Sequence, residues 1–121
     1  MSDRKISEVT KTLIKARQII DKEENWTIGF LARDRNNKPT NIFHENAFSF
    51  CAWGALDKAH LEQAGRWVSR PYAAGYILEQ ICGRCVASYN NSHTHKEVLQ
   101  LFDDAIALSV EKDQQLEKAN V

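Results

Sequence analysis

Long apolar runs are missing from this sequence. No stretch approaches the roughly 18 apolar residues of a membrane-spanning helix, so no membrane partner is expected. Net charge is missing too: 16 Lys and Arg face 16 Asp and Glu over 121 residues. A chain without net charge has no general attraction to nucleic acid or to an anionic membrane. Cysteine is scarce and odd in number, with only Cys51, Cys82 and Cys85. That count, with no apolar leader, argues against a secreted disulfide scaffold. No internal repeat or low-complexity segment is visible. Nor is there a glycine-rich phosphate loop, a G-x-S-x-G elbow or an H-E-x-x-H helix. From these absences we expect a cytoplasmic protein, with no catalytic residue to name and no cofactor.

What the chain does contain suits one globular core. Hydrophobic residues make up 43% and charged residues 26%. A chain this long buries about two-thirds of the surface it exposes when unfolded. Charge is unevenly spread. Residues 1–40 carry nine Lys and Arg against six Asp and Glu, and residues 93–121 carry three against six. We therefore expect the first and last helices to be neighbours with complementary surfaces.

Apolar spacing predicts four helices. Ile6, Val9, Leu13, Ala16 and Ile20 recur at three- and four-residue steps over 6–22, with Ser2 or Asp3 as the cap. Residues 46–64 repeat the pattern with Phe48, Cys51, Ala52, Ala55, Leu56 and Ala59, between Asn46 as the N-cap and Gly65 as the stop. Phe50 and Trp53 make this helix apolar on a second side, so it should be central, flanked by the first and last helices. Gly54 implies a close backbone neighbour, because glycine inside a helix otherwise costs about 1 kcal/mol. A third helix is predicted over 71–88, opened by Pro71 and striped by Ala74, Ile77, Leu78, Ile81, Cys82 and Cys85. The last begins near Thr94, where Thr94-His95-Lys96-Glu97 fits a capping box, and it buries Val98, Leu101, Phe102, Ala105 and Leu108. The single helical domain should span 1–110. Residues 111–121 read as a polar helix end or tail.

Residues 26–46 have no helical period. Arg35-Asn36-Asn37-Lys38-Pro39 reads as the turn of a short β-hairpin or ordered loop, with Trp26 and Phe30 pinning it to the core. Long ordered loops are often functional. The fold class expected is thus mainly α, a compact four-helix domain with this hairpin or loop between helices one and two.

The candidate site residues cluster in "YNNSHTHKEV", residues 89–98. Tyr89 continues the third helix's stripe, Asn90 and Asn91 suit a helix exit, and His93 and His95 border the capping Thr94. A pocket where the 26–46 loop meets the 89–95 turn would gather Asn90, His93, Asp34 and Glu45 as polar groups. Trp53 and Trp67, if exposed, would be anchors for a protein partner. Cys82-Gly83-Arg84-Cys85 is a C-x-x-C, but one placed late in a helix with both sulfurs on the apolar stripe, where cysteine packs as a small hydrophobe. Joined to His93 and His95 it would give four zinc-type ligands. The spacing C-x2-C-x7-H-x-H matches no known zinc module, and metal is not expected. The lysines and arginines of the first helix alternate with acids, so nucleic acid is not expected either.

Two stretches, "ARDRNNKP" with "FCAWGALDKA" and then "SYNNSHTHKEVLQLFDDAIAL", together resemble an uncharacterised bacterial and phage domain family of unknown function. Cys51, Gly54 and Ala55 match its Cys-x-x-Gly-Ala helix opening. Asn90, Thr94, Glu97, Val98, Ala105 and Ile106 match its second pattern. Tyr89 stands where that pattern has Trp, and Asn91 where it has Asp. An amide cannot replace an acid, base or anionic ligand, so this departure weighs against an enzyme. The resemblance spans roughly residues 8–108 and implies an accessory protein of a phage or mobile element. We expect a small protein-binding module, acting on a protein partner or self-associating as a homodimer, inhibition of host machinery being one role open to it. The alternatives are a small-molecule binder or enzyme using the loop–turn pocket, and a zinc-stabilised domain.

Overall fold

The computed structural model describes residues 6–119. Five α-helices and a small sheet run in the order α1 (Glu8–Ile19), β1 (Ala32–Arg33), β2 (Pro39–Thr40), β3 (Ser49–Phe50), α2 (Ala52–Ala64), α3 (Tyr72–Cys82), α4 (Val86–Ser92) and α5 (His95–Ala119). The protein is mainly α. The hairpin expected between the first two helices is there, joined by a third strand.

The helical layer is built as the apolar spacing demands. Leu13, Ile20, Leu56, Leu78, Val98 and Phe102 are all fully buried in one cluster. The helix α1 packs on α2, α5 and α3, while α5 lies mainly against α1 and α3. The last helix therefore does not flank α2 as expected, and α1 and α2 share the central role. The expected complementarity of α1 and α5 is present: Arg17 Nε meets Asp103 at 2.7 Å. Ser7 caps α1, its hydroxyl accepting from Thr10 N at 3.2 Å. The alternative caps Ser2 and Asp3 lie outside the described residues. At the other end, α5 stays helical through Ala119, so residues 111–119 are a helix end.

Two boundaries differ from the sequence reading. Residues 46–50 do not begin α2. Phe48 N donates to Arg33 O at 2.8 Å and Cys51 N to Leu31 O at 3.2 Å, drawing this stretch into the sheet. Phe48 and Phe50 fit the two-residue period of a strand as well as a helical stripe. The cap is Cys51, whose sulfur accepts from Gly54 N at 3.3 Å, and not Asn46. The predicted third helix is two helices, which is why the described residues hold five rather than four. Gly83 adopts φ 70°, and its N–H closes on Glu79 O at 2.9 Å, ending α3. Glycine enters left-handed backbone without steric cost, and that terminates helices.

The second layer is the segment between α1 and α2. Its antiparallel sheet has the order β2-β1-β3, pairing Ala32 with Thr40 on one side and Phe50 on the other. Asp34 Oδ1 accepts from Asn36 N at 2.9 Å and Lys38 N at 3.0 Å, and Asn37 sits at φ 64°, making the hairpin tip. Trp26 is packed against the core, but Phe30 is not: it is half exposed, with Arg33 stacked on its ring.

Gly54 joins the two layers. A Cβ built there would lie 1.9 Å from Leu31 O. The close backbone neighbour inferred from this glycine is therefore the chain entering β1.

Candidate functional site

The amide-rich stretch before α5 is first of all a clamp. Asn90 is completely buried. Its Oδ1 accepts from Trp26 Nε1 at 2.7 Å and from Ala52 N at 3.0 Å, and its Nδ2 donates to Thr27 O at 3.0 Å. One carboxamide thus ties α4 to the loop layer and to the start of α2. Its hydrogen-bonding capacity is spent inside the protein, so it cannot serve a ligand. Its neighbour Asn91 is exposed and accepts from Gly29 N at 3.0 Å.

The histidines are structural in position. His95 reaches back to Ile20 O at 2.6 Å and lies beside Trp26, ring centroids 5.6 Å apart. His93 stacks on Tyr89 at 3.6 Å, and its Nδ1 sits 2.9 Å from Tyr89 O. Tyr89 is only partly buried, not enclosed as its stripe position suggested, and that burial still pushes its hydroxyl pKa up. Thr94 and Glu97 form the capping box: Glu97 Oε1 accepts from Thr94 N at 2.9 Å, and Glu97 N donates to Thr94 Oγ1 at 3.2 Å. The N–H of Thr94 holds the Glu97 carboxyl below its ordinary range.

The C-x-x-C sulfurs are not on one apolar stripe, because Gly83 breaks the helix between them. Cys82 is partly buried and donates to Arg84 O at 3.2 Å. Cys85 is exposed at the head of α4, where the N–H groups of Ser88 and Ala87 lower its thiol pKa. Cys82, Cys85, His93 and His95 do not form a metal-binding set. Among the described residues no three His, Cys, Asp or Glu side chains stand close enough to hold an ion.

The loop and the 89–95 turn do meet, through Trp26, Thr27 and Gly29. However, Asp34 and Glu45 line a separate polar cavity of about 220 Å³ beside the hairpin turn, with Arg35 and Asn46. The cavity at the junction itself is about 450 Å³. Phe30, Leu31 and Trp53 wall it, while Arg70, Cys85 and Asn91 supply polar groups. The four polar residues predicted for that pocket are thus dispersed, and other residues build the cavity.

The sequence reading missed the ion pair that Arg70, one of the residues lining this cavity, makes with Asp57. Asp57 is 2% exposed, and Arg70 grips it through Nε at 3.1 Å and Nη2 at 2.7 Å. Those hydrogen bonds to Asp57 raise the Arg70 pKa. The guanidinium also lies 4.7 Å over the Trp53 ring. Trp53 fits because position 75 is glycine: a Cβ there would meet its indole at 2.3 Å. One signal was available, since Asp57 follows Trp53 by four residues and so falls on the second apolar side of α2.

Around this pair the surface is aromatic. Trp67 is 41% exposed and meets Phe43 edge-on at 5.2 Å, while Tyr72 and Tyr76 are 70% and 63% exposed. The junction cavity shares Leu31 and Arg70 with a second cleft, which shares Tyr72 with a third along Tyr76. The two tryptophans named as anchors therefore belong to one face, Trp53 half-buried at its centre and Trp67 at its edge.

The chain belongs to a family described as "Family of unknown function (DUF6197)", whose model matches residues 5–108. No curated protein and no solved structure matches it.

Proposed function

We propose that this is a protein-binding accessory module that works in the cytoplasm and holds an acidic, amphipathic segment of a partner protein on its aromatic face. The observation that carries this reading is the continuity of that face. Phe43, Trp67, Val68, Tyr72 and Tyr76 all stand 41–70% exposed around the Arg70–Trp53 stack. Large apolar patches on a folded chain mark interaction sites, and Trp, Tyr and Arg are the residues that dominate binding energy in them. Charge favours an acidic partner. Arg33 and Arg35 from the loop layer, Arg66 just after α2 and Arg84 between α3 and α4 make no ion pair among the described residues. None of the three clefts of the face is lined by an unpaired Asp, and Glu79 is their one glutamate.

The test is affinity capture with the wild-type chain and with a Tyr72→Lys/Tyr76→Lys variant, followed by titration of the purified partner. Both tyrosines are exposed, so the variant should melt like wild type. The expected result is a stoichiometric complex, weakened at least about a hundredfold in the variant. A partner that binds both proteins equally, or no partner beyond background, overturns the proposal.

A further inference from the structure

The junction cavity is one of the clefts of that face, but it has a chemistry of its own that does not rest on the partner-binding reading. Its walls are apolar, from Phe30, Leu31, Trp53 and Ala87. Its polar side chains are turned so that hydrogen-bond donors remain. Asn91 spends its Oδ1 on Gly29 N at 3.0 Å and Asn90 Nδ2 at 3.4 Å, leaving its own NH2 group without an acceptor among the described residues. Arg70 engages Asp57 through Nε and Nη2 only, leaving both Nη1 hydrogens in the same condition. No carboxylate lines the cavity. Asp57 balances Arg70, but Arg33, stacked on Phe30, has only neutral acceptors in Thr27, Asn37 and Ile28. Arg84 precedes Cys85 at the rim, and Glu79 is the acid whose field reaches Cys85.

From this arrangement we infer that the cavity binds a small apolar monocarboxylate, its body between Phe30, Leu31 and Trp53 and its carboxylate on the free N–H groups of Asn91 and Arg70. A volume of about 450 Å³ suits a molecule built on a single ring or a short alkyl chain. Charge-assisted hydrogen bonds are roughly twice as strong as neutral ones, so the acid is preferred over its own amide. An ammonium has no carboxylate to meet there and would stand beside the Arg70 guanidinium.

The experiment is a backbone-amide NMR titration of the full chain with 3-phenylpropionate, 3-phenylpropanamide and 2-phenylethylamine. Saturable shifts are expected at Gly29, Phe30, Ala87, Asn91 and the Trp53 indole with the acid. The amide should bind about tenfold more weakly, and the amine not at all. Asn91→Asp keeps an acceptor for Gly29 N and sets a negative charge at the head of the site. It should weaken the acid by about tenfold or more and the amide far less, since the amide's own NH2 can donate to the new carboxylate. Ala87→Leu fills the cavity and should abolish both. The inference is overturned if acid and amide bind alike, if the amine binds as well, or if the shifts fall at Trp67 and Tyr76. It also fails if nothing saturates below about 10 mM. Loss of the partner complex in the Tyr72→Lys/Tyr76→Lys variant leaves these outcomes untouched, so the two readings fail separately.

Discussion

The helical layer and the loop layer of this protein are held together by different physics. Among the helices, Leu13, Leu56, Leu78, Val98 and Phe102 fill a shared interior, and many small contacts add up. Between α1 and α2, three strands of two residues each add only Ala32 and Phe50 to that interior, with Ile42 beside them. That layer is fixed by a few directional contacts: the Asn90 carboxamide, the Gly54–Leu31 approach and the Asp34 turn. A distributed interior tolerates a modest change at any one place. A layer held chiefly by a few such contacts does not, and it supplies Phe43 to an aromatic face otherwise built on α2, α3 and the segment joining them.

The sharpest test of the comparison is to damage each layer once. Phe102→Ala empties the helical interior and should cost about 4 kcal/mol, read from denaturant unfolding. The loss should register at every probe, since all helices pack on that cluster. Gly54→Ala should cost about 3 kcal/mol through the clash with Leu31 O. Here the loop layer should come away first, seen as early hydrogen exchange at Arg33 and Cys51 while Leu13 and Leu101 stay protected. Equal exchange in both regions would erase the distinction drawn here.

Asn90→Ala should cost about 2–3 kcal/mol, because Trp26 Nε1, Ala52 N and Thr27 O lose their partner in a dry interior. Near-neutral behaviour would mean that the clamp is replaceable by water.

The smallest effect expected is one of pH, within the helical layer. Burial pushes the Asp113 carboxyl up, but hydrogen bonds from Thr10 Oγ1 at 2.7 Å and Ser7 N at 3.1 Å outweigh it, and the net shift is downward. A carboxyl lowered in the folded state contributes stability above its unfolded pKa and loses it as pH falls through the folded value. Melting temperatures of wild type and Asp113→Asn should therefore differ near neutral pH and converge in acid. A constant gap across the range would show that the aspartate acts through shape alone.

The same contrast explains what could be read from the sequence. Helices are legible where burial repeats every three to four residues, and the interiors of α1, α2, α3 and α5 follow that rule. So do Gly65 as a helix stop and the Thr94–Glu97 capping box. Phe48 and Phe50 satisfied two periods at once, so nothing local revealed β3. Gly83 sat inside an unbroken apolar stripe, and its backbone angle follows from packing that a one-dimensional pattern does not carry. Asn90 and Arg70 were harder still. Their roles depend on partners 64 and 13 residues away, and a polar side chain gives no sign of where its partner lies. For that reason none of the four polar residues expected at the loop–turn junction lines the cavity found there.

Asn90 also sets an order of events during synthesis. Trp26, Thr27 and Ala52 leave the ribosome well before residue 90 does, and until then the groups they present to it have only water. The segment carrying Phe43 and its aromatic neighbours can settle only once α4 has emerged. A nascent chain halted before that point should expose this sticky surface in full and be recognised as unfinished.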